Sequence, residues 1–184
     1  MNIILITGPK HAGKTSAGRE LAGLTGNRFA DLDETVERRT GKSPRELYKE
    51  GPEQFRLAEA RALAGLADEP DGSGPCIIAA GGGIIDNEAA VTLLKARRIC
   101  TVYLEVSPET AWRRIRAAGP LPPFLDTPCP RETHADLHRR RSEAYKKLAC
   151  ITVVAEGKSP AETAQEIAEK IGLKKSPSRA ILYQ

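Results

Sequence analysis

The segment Ile3-Ile4-Leu5-Ile6-Thr7-Gly8-Pro9-Lys10-His11-Ala12-Gly13-Lys14-Thr15 passes from an apolar run into a glycine-bounded loop that ends in Gly-Lys-Thr. Ser16 and then Ala17-Gly18-Arg19-Glu20-Leu21-Ala22 follow with helical spacing. Strand, G-x-x-x-x-G-K-T loop and helix, in that order, make a phosphate-binding loop in the setting that gives the motif its meaning. Glycines let successive backbone N–H groups turn inward around an anion, and the helix N-terminus adds positive potential. Lys14 reaches the β- and γ-phosphates of a nucleotide, and the Thr15 hydroxyl suits a Mg²⁺ shell. The loop therefore predicts ATP and Mg²⁺, with Gly8, His11, Ala12, Gly13, Lys14, Thr15 and Ser16 as contacts.

Outward from this loop, strands and helices alternate. Phe29-Ala30 reads as a short second strand delivering Asp31-Leu32-Asp33, and alternation predicts both carboxylates on one side of an extended chain. A helix through Val36 and Arg39 stops at Gly41. Ser43-Pro44-Arg45-Glu46 spells a helix start with cap, proline and capping glutamate. Residues 53–67 have helical spacing, and 68–75 read as a surface loop. Cys76-Ile77-Ile78-Ala79-Ala80 is a continuous apolar run suited to a buried parallel strand, and Gly81-Gly82-Gly83 ends it. A helix over 87–96, a strand over 99–106 and a helix from Ser107-Pro108-Glu109 follow. Residues 119–130 contain five prolines (Pro120, Pro122, Pro123, Pro128, Pro130) and are expected to be irregular. A basic helix over 133–148, a strand over 150–154 and a helix from Ser159-Pro160 to about Gly172 complete the pattern. The tail, 173–184, has no clear assignment beyond an apolar Ala180-Ile181-Leu182-Tyr183.

This alternation predicts a three-layer α/β fold, a five-stranded parallel sheet with helices on both faces. In such sheets ligands sit beyond the strand C-termini. The phosphate loop, Asp31 with Asp33, and the triple glycine each follow a strand end, so they converge on one rim.

At 184 residues, 40% hydrophobic and 28% charged, the chain has the composition of one ordinary globular domain. Aromatics at 4% argue against a base-stacking platform for nucleic acid, and the net charge of +4 is mild. No window approaches a membrane span, and the short N-terminal apolar run lacks a basic leader. The dispersed cysteines (Cys76, Cys100, Cys129, Cys150) contain no C-x-x-C pair; three open apolar runs and read as buried thiols of a cytoplasmic protein.

Asp31 and Asp33, beside the nucleotide site, are candidates for holding metal-bound water and for deprotonating an attacking hydroxyl. A strand-end aspartate capping the next helix is the plainer alternative. Arg56, with Glu59 three residues on to steady it, suits a substrate carboxylate; a surface ion pair is the alternative. The triple glycine exposes backbone N–H groups to an acidic ligand, or simply turns the chain. His134 and His138, four apart near Cys129, loosely suggest a metal site, but a complete ligand set is not evident. Arg139-Arg140-Arg141 with Lys146-Lys147 reads as a solvated helix face that contributes one substrate arginine rather than as a nucleic-acid patch.

In order, the motifs Phe29-Ala30-Asp31-Leu32-Asp33, Phe55-Arg56-Leu57-Ala58-Glu59, Gly81-Gly82-Gly83 and Arg141-Ser142-Glu143-Ala144-Tyr145, behind the phosphate loop, resemble shikimate kinase. The resemblance covers about residues 2–172. It implies a P-loop, nucleoside-monophosphate-kinase-like fold and phosphorylation of a shikimate hydroxyl by ATP. Asp33 would bind the hydroxyls and assist attack, Asp31 would serve the Mg²⁺ shell, and Arg56 and Arg141 would hold the carboxylate, with Gly82 donating its N–H. Arg114 matches an arginine packed on adenine, and Lys158-Ser159-Pro160 falls at the adenine loop. Residues 119–131 would form a lid over the cleft of a monomer built from residues 1–172. Two positions depart from the family. Gly119 stands where the lid carries an arginine that clamps the transferring phosphoryl group, and His11 stands where the loop often has glycine. Arg113, Arg116 and Arg131 are near enough in sequence to substitute. A kinase of another polyhydroxy acid such as gluconate, or a binding protein without turnover, are the alternatives this departure raises.

Overall fold

In the computed structural model, which describes residues 3–69 and 75–176, β1 (Ile3–Thr7) is buried along its whole length. It leads into α1 (Lys14–Thr25), β2 (Arg28–Asp31), α2 (Leu32–Thr40), α3 (Pro44–Glu50), α4 (Pro52–Asp68) and β3 (Cys76–Ala79). Then come α5 (Glu88–Ala96), β4 (Cys100–Glu105), α6 (Pro108–Ala117), α7 (Pro130–Leu148), β5 (Ile151–Val154) and α8 (Pro160–Ile171). All five strands run parallel in the order β2-β3-β1-β4-β5. The chain thus builds one half-sheet to one side of β1 and then crosses to the other. The phosphate loop lies where that order reverses, at the C-terminal edge where such sheets bind ligands.

Strand periodicity divides the core. Ile3 and Leu5 face a layer from α2, α4, α5 and α7, with Leu32, Leu63, Leu94 and Tyr145 buried there. Ile4 and Ile6 face α1, α6 and α8, with Leu21, Ala111 and Ile167. Both faces of the central strands are covered, which is why those strands read as unbroken apolar runs.

Local chemistry sets the helix starts. Ser43 and Ser159 each complete a reciprocal capping box, with Glu46 and Glu162, ahead of a proline in the first turn. The proline-rich stretch departs from its expected irregularity twice. Pro123–Leu125 forms a 3₁₀ turn, and α7 starts at Pro130, three residues early, because a first-turn proline lacks only an N–H that the helix does not need. Cys150 is exposed, unlike the buried Cys76 and Cys100; it stands before β5 rather than within it. Beyond α8, the Ser176 N–H donates to the Leu24 carbonyl at 3.0 Å, seating the start of the tail on α1. The apolar run at 180–183 and most of the 68–75 loop lie outside the described residues. Among the described residues, no helix is long and apolar enough to cross a membrane.

Candidate active site

The phosphate loop closes on itself through the Ala12 N–H, which donates to the Pro9 carbonyl at 3.1 Å. Lys14 Nζ donates to the same carbonyl at 2.8 Å, so its ammonium lies across the loop. Burial pulls Lys14 down to about 8; Asp33 opposes this and Lys10 reinforces it. A polyphosphate in the loop would add to the counter-charge that Asp33 and Asp31 supply only in part.

In the first turn of α1, the Thr15 hydroxyl donates to Asp31 Oδ2 at 2.8 Å. Asp31 Oδ1 accepts from the N–H groups of Asp33 and Glu34, at 3.0 and 3.4 Å, and so caps α2. One oxygen of Asp31 thus caps the helix, and the other faces the Thr15 hydroxyl. The hard-oxygen pair Thr15–Asp31 beside the loop fits Mg²⁺, which takes few protein ligands and completes its shell with phosphate and water.

The alternation expected of Asp31-Leu32-Asp33 does not occur. Asp31 is extended (φ −92°, ψ 126°), but Leu32 already begins α2, and Asp33 enters the cleft from that helix's first turn. Burial raises the Asp33 carboxyl above its ordinary range and the charge of Asp31 adds to this, against Lys14 and Lys10. A carboxylate with raised proton affinity suits the acceptance of a hydroxyl proton.

The triple glycine forms the wall opposite α2. A Cβ on Gly82 would stand 3.1 Å from both the Gly8 carbonyl oxygen and the Lys10 nitrogen, a tight approach to backbone that glycine avoids as this wall rests on the phosphate loop. The Tyr145 hydroxyl donates to the Gly82 carbonyl at 2.6 Å and fixes the peptide's orientation. Gly81 faces Asp33 and Glu59, and Gly83 faces Arg141. Arg141 Nε donates to Asp86 Oδ2 at 2.8 Å, and Arg140 reaches Oδ1 at 2.8 Å. Burial works against ionising Asp86, but the hydrogen bond from Arg140 and the charge of Arg141 hold its carboxyl below the usual range. The Arg141 guanidinium also lies 5.7 Å from the centre of the Phe124 ring, in the proline-rich segment.

Arg56 is turned elsewhere: its guanidinium pairs with Glu53, and it does not line the cleft. Glu59, expected to steady it, is buried instead and accepts from Asn87 Nδ2 at 2.9 Å. Asn87 donates to the Arg56 carbonyl as well, at 2.7 Å. Glu59 Oε1 has no hydrogen-bond partner among the described residues, and burial pushes this carboxyl up to about 7. Arg114 Nη1 donates to the His11 carbonyl at 3.0 Å, bracing the loop from α6. Lys158 is engaged with the Val154 carbonyl and Glu166, and Pro160 opens α8; neither lines the cleft. His134 and His138 pack on one another, with the Trp112 ring against His134. Among the described residues, no group of three His, Cys, Asp or Glu side chains is placed to hold a metal.

Sequence reasoning missed Asp86, Asn87, Arg45 and Tyr48. Asn87 carries a local signal, a cap residue before a helix; Asp86 carries none. Arg45 and Tyr48 of α3 line the cleft, though their stretch reads only as a helix start.

Together these elements enclose a cleft of about 640 Å³ that joins the phosphate loop, Asp31, Asp33, Glu59, the triple glycine and Arg141. The model of the shikimate kinase family matches residues 10–172. A shikimate kinase of Thermobifida fusca is 35% identical over 170 residues, covering 92% of this chain and 94% of the relative. That of Marinomonas sp. is 32% identical over 172 residues, covering 92% and 91%. The structure of shikimate kinase from Acinetobacter baumannii in complex with shikimate superposes with a TM-score of 0.80 at 32% identity, covering 93% of each chain. The phosphate loop, the paired aspartates and the glycine wall thus meet in one cleft in a chain that belongs to the shikimate kinase family.

Proposed function

We propose that this protein transfers the γ-phosphoryl group of ATP to a hydroxyl of shikimate, giving shikimate 3-phosphate. The observation that carries the reading is the meeting of Lys14, Asp33 and Arg141 in one cleft. A phosphate cradle, a proton acceptor and a carboxylate anchor are what the transfer of a phosphoryl group to an acidic alcohol requires.

The loop amides and Lys14 hold the nucleotide phosphates, and Arg114 packs on the adenine, with the 158–160 loop beside it. Thr15 and Asp31 hold Mg²⁺, which when bound neutralises charge on the β- and γ-phosphates. Asp33 orients the acceptor hydroxyl and takes its proton. Arg141 grips the carboxylate, with the Gly82 N–H beside it. Arg56 joins by leaving Glu53; both side chains are well exposed, so breaking that pair costs little. Residues 119–131 act as a lid that excludes water, a competing acceptor. The unit is a single kinase domain, residues 1–172, acting as a monomer.

A coupled assay of ADP release tests this, with ATP and Mg²⁺ and either shikimate or gluconate as acceptor. Shikimate-dependent release with none from gluconate is expected. Release with gluconate alone would replace the substrate, and ATP and shikimate binding without release would leave a binding protein.

A further inference from the structure

Phosphoryl transfer moves negative charge onto the oxygens around the migrating phosphorus, and a cation fixed beside them lowers the barrier. Gly119 offers none. Its backbone is in the left-handed region (φ 115°), which side-chain-bearing residues rarely adopt, and a Cβ there would point into open space. Arg113, Arg116 and Arg131 do not line the cleft. Of the cations that do, Lys14 is held by the Pro9 carbonyl and Arg141 by Asp86. Arg45 enters from α3 rather than from the phosphate loop. Burial, with Lys10, Lys14 and Arg114, holds His11 below its ordinary range, so it is neutral near pH 7.

Lys10 remains. It stands in the phosphate loop itself, exposed, with its backbone nitrogen against Gly82. It borders both the main cleft and a smaller hollow lined by Phe124 and Arg141, where the loop meets the proline-rich segment. Its charge acts on the groups at both ends of the reaction path, Lys14 and Asp33.

We propose that Lys10 is a catalytic residue of this kinase, supplying beside the migrating phosphoryl group the positive charge that Gly119 cannot. The inference rests on the function proposed above. In the step it serves, the acceptor oxygen bonds to the γ-phosphorus while the bond from that phosphorus to the β–γ bridging oxygen breaks. The electron pair of the broken bond leaves with ADP, and the hydroxyl proton passes to Asp33. Lys10 moves no proton; its role is to turn its side-chain nitrogen to the phosphoryl oxygens.

The test compares wild type with K10M, K10Q, K10R and R116M. The readouts are kcat and KM for shikimate, the dissociation constant for ATP, and thermal unfolding. The expected result is a fall in kcat of about 100-fold in K10M and K10Q. KM and the ATP constant should stay within about threefold, melting should be unchanged, and K10R should recover most of the rate. R116M, which removes a charge outside the cleft, should behave as wild type. A K10M kcat within about threefold of wild type would overturn the proposal. So would a loss confined to ATP affinity, which would make Lys10 a ground-state contact, or a K10R as slow as K10M. These outcomes leave the kinase reading standing, whereas a wild-type enzyme forming no product removes both.

Discussion

The hydroxyl of Thr15 and Oδ2 of Asp31 lie 2.8 Å apart, joining the first turn of α1 to the end of β2. Asp31 uses its other oxygen to cap α2, so one carboxylate serves the cleft and the helix that carries Asp33. D31A should therefore lose on two counts. The lost cap should cost about 1 kcal/mol of stability, read by urea unfolding. The Mg²⁺ concentration for half-maximal rate should rise at least about tenfold. T15V should show the Mg²⁺ effect without losing the cap, and equal Mg²⁺ requirements in T15V and wild type would remove the pair from the metal site.

Glu59 makes stability depend on pH. Folded, it keeps its proton up to about 7; unfolded, it ionises near 4.5. Between those values the unfolded chain binds fewer protons, so stability falls as pH rises from about 4.5 to about 7 and levels off above. E59Q does not ionise, so its stability relative to wild type should increase by on the order of 3 kcal/mol between pH 4.5 and 8. Parallel urea midpoints for the two proteins across that range would contradict this.

Removing the Tyr145 hydroxyl strands a carbonyl on the glycine wall. Y145F should lose about 1–2 kcal/mol in urea unfolding, because the Gly82 oxygen forfeits its donor. KM for shikimate should rise as well if the Gly82 N–H meets the substrate carboxylate as proposed above. A stability loss with unchanged KM would confine Tyr145 to packing against Tyr103, with which it stacks at 5.1 Å.

Asp86 holds Arg141 by a short ion pair on a half-buried side chain. D86N should let that guanidinium wander and raise KM for shikimate about tenfold, with kcat within about twofold. A lower KM would mean that Asp86 competes with the substrate carboxylate instead of aligning its partner.

Much of this was legible because local rules and the global fold agree. The apolar run before Gly8, the loop and the helix after it could hardly pack otherwise, and the two capping boxes are spelled out in four residues each. Asp31 and Asp33 were rightly brought to one rim for a wrong reason. Strand alternation predicts the shared side, but the Asp31 cap starts a helix at Leu32, and a helical turn delivers Asp33. Arg56 and Glu59 have the spacing of a pair, yet Glu53 lies equally near on the exposed side and takes the arginine. Glu59 instead finds Asn87, 28 residues away in sequence. Asp86 was invisible because its partners arrive from α7, more than 50 residues on, and no local pattern encodes a contact of that range.

The central claim is that one cleft brings a nucleotide and an acidic alcohol together for direct transfer. The most direct measurement is a single turnover: enzyme in excess over γ-labelled ATP, with Mg²⁺ and shikimate, quenched and resolved by product. The account predicts that the label moves from ATP to shikimate phosphate, with little free phosphate. Label remaining in ATP, or appearing only as inorganic phosphate, would contradict it.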